Sequence, residues 1–79
     1  MSEHIIETPE EGIRQLEEKP PLGDRFELSV SNSLTFKGKP DTVGFGMALI
    51  LRRILAMGFE PDGFEQKDGF KLYRYKKAR

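Results

Sequence analysis

The sequence predicts an α+β two-layer sandwich of order βαβαββ, with a mixed four-stranded sheet and two helices on one face. Three observations lead there. Residues 26–36 alternate apolar and polar side chains at period two, interrupted only at Asn32, residues 42–57 repeat apolar positions at helical spacing, and Lys67-Asp68-Gly69 divides the C-terminal stretch with a turn. At 79 residues the chain has room for one hydrophobic core, so residues 1–79 are expected to form a single domain. Leu, Ile, Val and Phe number 21 of the 79, above the roughly 20% below which a chain stays disordered.

The first strand is expected at 4–7, where His4-Ile5-Ile6-Glu7 carries a β-branched pair. Thr8-Pro9-Glu10-Glu11 then starts a helix. Thr8 can cap it, Pro9 suits the first helical position, and Glu11 stands three residues after the cap, as a capping box requires. The helix covers 9–18 with a narrow Ile13/Leu16 stripe, and Pro20-Pro21-Leu22-Gly23-Asp24 ends it.

The strand at 25–31 presents Phe26, Leu28 and Val30 to one side. Leu34 to Phe36 also reads as extended, and a turn at Ser31-Asn32-Ser33 would set Val30 opposite Leu34. After the loop Lys37-Gly38-Lys39-Pro40, Asp41 or Thr42 is expected to cap a second helix over 42–57, ended by Gly58. Val43, Met47, Ile50, Ile54 and Met57 share one face of it. Phe45, Leu49 and Leu55 lie off that face, so the helix is apolar most of the way round, interrupted by Arg52 and Arg53 at its solvent side or an interface edge. Strands at 59–66 and 70–76 form the final hairpin. A three-residue loop there predicts Phe64 opposite Leu72, both on the core face, with Tyr73, Tyr75 and Lys71 on the other.

Charge is balanced, 13 basic against 13 acidic residues, so no overall field draws the chain to nucleic acid or acidic lipid. The halves differ, however: residues 1–24 carry a net −5 and residues 25–79 a net +5. The absence of cysteine excludes disulfides, thiolate nucleophiles and sulfur-ligated metals, and a single histidine excludes a His-rich metal site. No cofactor, metal or catalytic residue is expected. The longest uncharged run, Thr42 to Leu51, is half of the roughly 20 residues a membrane span needs. The acidic start MSEHIIETPEE has no apolar leader segment, so a cytoplasmic protein without membrane contact is expected.

In element order the chain resembles the SirA/TusA family of small sulfur-carrier proteins. Thr8-Pro9-Glu10-Glu11 stands where that family has Cys-Pro-x-Pro. Gly23-Asp24-Arg25-Phe26-Glu27-Leu28-Ser29-Val30 matches its Gly-acid turn into a strand, and Gly58-Phe59, Asp68-Gly69 and the basic last strand match its C-terminal half. The resemblance implies the βαβαββ sandwich. It also implies that sulfur transfer is lost, because the carrier cysteine is replaced by Thr8, whose hydroxyl cannot form a persulfide. Thr8 and Pro9 therefore read as a retained helix cap. Residues 50–76 also look similar to the RNA-processing HicA toxins, but those need a histidine in the hairpin turn, where this chain has Asp68-Gly69.

Other motifs carry less. Gly38-Lys39 is followed by Pro40 and lacks the Walker spacing, which leaves at most a weak anion site at Lys37 and Lys39. Two functional readings follow. The first is a non-catalytic interaction module with a protein partner, or a second copy of itself, at Phe45, Leu49, Arg52 and Arg53. The alternative is single-stranded RNA binding by Lys71, Tyr73, Arg74, Tyr75, Lys76 and Lys77, with the tyrosines as stacking platforms.

Overall fold

The structure, a computed structural model, describes residues 4–78. Eight elements follow in order: β1 (Ile5–Ile6), α1 (Pro9–Glu18), β2 (Arg25–Ser31), β3 (Thr35–Phe36), β4 (Lys39–Pro40), α2 (Phe45–Ala56), β5 (Phe59–Gln66) and β6 (Phe70–Lys77). β1, β2, β6 and β5 lie side by side in one sheet, β1 parallel to β2 and the remaining neighbours antiparallel. This is the α+β sandwich the alternation and helix spacing foretold. Ile5 pairs with Ser29 and Ile6 with Val30, so the first strand joins the sheet, although it is shorter than 4–7.

Local chemistry explains both helix starts. The Glu11 amide donates to Thr8 Oγ1 (3.2 Å), and the Glu11 carboxylate reaches back to the Glu7 amide (3.3 Å), closing the N-terminus of α1 much as a capping box does. α2 starts at Phe45, three residues later than expected. Gly44 precedes it with φ +82°, and Asp41 still serves as the cap from a distance, its Oδ2 accepting from the Gly46 amide (2.9 Å) and the Met47 amide (3.4 Å). Because the helix begins after Gly44, Val43 is left in the loop and is exposed, not on the core face.

The two helices run side by side in the same direction. A Cβ on Gly46 would lie 2.7 Å from Pro9 Cγ, and one on Gly12 would lie 2.9 Å from Ile50 Cδ1, so glycine at these points permits the close approach. Further along, Arg53 Nη2 donates to Glu17 Oε2 at 2.6 Å. Beneath them the core holds Ile6, Leu16, Leu28, Val30, Leu34, Ile50, Ile54, Phe59 and Tyr75.

Leu34 to Phe36 does not fold back on β2. Thr35 donates its amide to Glu7 O (3.0 Å), and β3 pairs with β4 in a separate small hairpin through Lys37 (φ +55°) and Gly38 (φ +77°). Leu34 is nevertheless buried.

The C-terminal hairpin corrects the expected register by one residue. Asp68-Gly69 forms a two-residue turn, closed by Lys67 N donating to Phe70 O (2.8 Å), so Phe64 pairs with Tyr73 and Glu65 with Leu72. With period two, one residue changes the face of every side chain. Tyr73, Tyr75 and Lys71 therefore lie on the helix side, opposite Leu28, Phe26 and Val30, while Leu72 pairs with Ser29 on the open side. A bulge at Asp62-Gly63, with Gly63 at φ +93°, then shifts β5 so that Phe59 also faces the helices.

Candidate interaction surface

α2 divides its side chains between two environments. Gly46, Ile50 and Ile54 are buried, with Met47, Leu51 and Met57 packed against the core. On the far side Phe45, Leu49, Arg52 and Ala56 follow one another at i, i+4, i+7 and i+11, a single stripe along the helix. Phe45 is 62% exposed and Leu49 36%, and Val43, immediately before the helix, is 70% exposed. Phe36 from β3 brings its ring within 6.3 Å of the Phe45 ring, extending the apolar strip beyond the helix. Lys37 then sits with its ammonium 5.3 Å from the centre of the Phe36 ring.

Of the four residues expected at this interface, the structure leaves Phe45, Leu49 and Arg52 outward. Arg53 is exposed but held by Glu17 on α1. Sequence reasoning missed Val43, assigned to the core, and Phe36, assigned to the sheet. Gly44 was the available signal, since a glycine two residues inside an expected helix can mark its true start.

The residues of the nucleic-acid reading are dispersed over both sides of the sheet. Tyr75 is 2% exposed, stacked on Phe26 at 5.1 Å, and burial pushes its hydroxyl pKa well up. Tyr73 is partly buried, and burial raises it too. Lys71 lies over the Phe64 ring at 5.5 Å. Arg74 and Lys76 do reach the open face, where acids surround them: Arg74 pairs with Glu65 (2.8 Å) and Glu27 (3.3 Å), and Lys76 lies near Asp62 (3.8 Å) and Glu60 (3.9 Å). Arg25 joins the same network through Asp62 (2.7 Å), and Lys67 pairs with Glu65. Hydrogen bonds from Lys67 and then Arg74 push the Glu65 carboxyl down to about 2. The pair of open-face stacking platforms expected at Tyr73 and Tyr75 is therefore replaced by a neutralised ionic surface. Lys77 is exposed at the end of β6, paired with Phe59 in the ladder.

Thr8 acts as the cap its position suggested, and Pro9 is buried against α2. A shallow cleft of about 200 Å³ lies between Asn32, Asp41, Lys71 and Tyr73. Among the described residues no cluster of three His, Asp or Glu side chains is placed to hold a metal ion, and no helix is long and apolar enough to cross a membrane. No family model matches the chain, and neither the curated proteins nor the solved structures contain a match to it.

Proposed function

We propose that this chain is a small non-catalytic interaction module of SirA/TusA-like fold, cytoplasmic, acting through protein contacts on the outer face of α2. The observation that carries the reading is the exposure of Phe45 and Leu49 on a helix whose opposite face already builds the core. With Val43 and Phe36 beside them these side chains form a contiguous apolar patch, of the kind that marks an interaction surface, rather than singly exposed residues. The family likeness is supported by the βαβαββ order of the four-stranded sheet and its two helices, to which the β3–β4 hairpin is an addition, and by Thr8-Pro9 at the start of α1, where the family carries its cysteine.

Site-specific photo-crosslinking tests the reading. A benzophenone side chain placed at position 49 should trap a protein in the native cells, while the same group at position 74, on the open face of the sheet, should not. Crosslinks from position 74 alone, or from neither position, would overturn it.

A further inference from the structure

We infer that the occupant of the α2 face is an acidic amphipathic helix of a partner protein. This rests on the protein-contact reading above and adds the partner's chemistry. Three features meet on this face: an apolar strip, unneutralised positive charge at both ends of it, and the shape of a helix-packing ridge.

The strip is Val43, Phe45 and Leu49, widened by Phe36. The charge is Lys37 in the β3–β4 turn and Lys39, which pairs with Phe36 in the same hairpin, at one end, and Arg52, one stripe position beyond Leu49, at the other. None of these three cations has an acidic partner among the described residues, which they share with Arg14, Lys19, Lys71 and Lys77, whereas Arg25, Arg53, Lys67, Arg74 and Lys76 each have one. The nearby acids are committed elsewhere. Asp41 caps α2, Glu17 holds Arg53, and Glu11 closes the start of α1.

A ridge at i, i+4, i+7 and i+11 spans about 17 Å at 1.5 Å per residue, three turns, and fits between the ridges of another helix of that length. Ala48 and Ala56, both exposed, leave space beside the larger side chains. A helix presenting large apolar residues along one stripe and Asp or Glu along its borders would cover Phe45 and Leu49 and neutralise Lys37, Lys39 and Arg52 together. A second copy of the chain is the poorer occupant, because pairing α2 with itself would bring two positively charged faces together.

The test is selection from a display library of 16-residue peptides on the full chain, counter-selected on the Phe45→Ala/Leu49→Ala variant, with amide spectra confirming that every variant is folded. Enriched sequences are expected to place large apolar residues at i, i+4 and i+7 and acids beside them. The best of them, made as a synthetic peptide, should bind at least tenfold more weakly to Phe45→Ala/Leu49→Ala and to Lys37→Glu/Lys39→Glu/Arg52→Glu, and should weaken with added salt. Enrichment of basic or uncharged sequences, or none beyond the counter-selection, overturns the inference. If sedimentation instead shows a dimer that the double alanine variant abolishes, the acidic helix is wrong and the protein-contact reading stands. If neither peptide nor second copy binds while a single-stranded oligonucleotide does, both fail.

Discussion

β6 contributes to both sides of the sheet, and its alternate residues meet opposite fates. Tyr73 and Tyr75 turn inward, where Tyr75 joins Phe26 and Phe59 in an aromatic cluster with centroids 4.9 to 5.1 Å apart along the chain of contacts. Arg74 and Lys76 turn outward into a lattice of Glu27, Glu60, Asp62 and Glu65. The centre of the basic C-terminal run, the most conspicuous charge in the sequence, is thus neutralised in the fold, while Lys71 and Lys77 on either side of it have no acidic partner among the described residues. Free positive charge is found as well where the sequence shows only two lysines in a short hairpin and an arginine in a helix. A run of like charge identifies a surface only after the acids brought beside it are counted.

Perturbing the inner face should have the largest effect. Tyr75→Ala leaves a hole beside Phe26 and Phe59 and is expected to lower stability by about 3–5 kcal/mol in urea denaturation; a loss under 1 kcal/mol would mean that the ring is not a core element. The cap is next. Thr8→Ala removes the acceptor for the Glu11 amide and should cost about 0.5–2 kcal/mol, while Thr8→Ser should retain most of it.

On the outer face the effect is smaller and depends on pH. The Glu65 carboxyl is pushed down to about 2 from 4.5. A depressed acid stabilises the fold fully only above its unfolded value, so this contribution is complete above about pH 4.5 and is lost as pH falls through 2. Titration of the Glu65 carboxyl carbon by NMR should show the low value in the native chain and a return towards 4.5 in Lys67→Ala/Arg74→Ala. The smallest effect is expected on the outer face of α2. Phe45→Ala/Leu49→Ala should change the stability measured by urea denaturation by no more than about 0.5 kcal/mol, and a large loss would place these side chains in the core and remove them as an interface.

The order of the four sheet strands and two helices, the strand alternation and the Thr8 cap were legible because each is set by neighbouring residues, whereas β4, read as loop, was not. The pairing of Ile5-Ile6 with β2 was also legible, since a strand-helix-strand unit favours parallel neighbours. The side of the sheet taken by Tyr73 and Tyr75 was not. It depends on whether the Asp68-Gly69 turn uses two residues or three, a difference of one position that reverses every side chain. The bulge at Asp62-Gly63 compounds this: a glycine inside a strand is its only local mark, and that does not say which residues it brings to the same face, here Phe59 and Phe64, five apart. The exposure of Phe45 and Leu49 was legible as an apolar excess on α2. The gathering of Phe36, Lys37 and Lys39 beside it was not, since it depends on a two-residue hairpin packing across the start of a helix.

That bulge also sets how the chain can change in length. Two residues of β5, Asp62 and Gly63, occupy the space opposite Arg74, so the strand carries one spare residue. A single deletion there closes the ladder without turning Phe59 or Phe64 to the wrong side, whereas an insertion would enlarge the bulge into the open space at the sheet edge. The shortened strand would be more regular, but β5 lies at the edge of the sheet, and an edge kept irregular by a proline and a bulge is protected from pairing with its neighbours in solution. Regularity gained within one molecule would therefore be a liability between molecules.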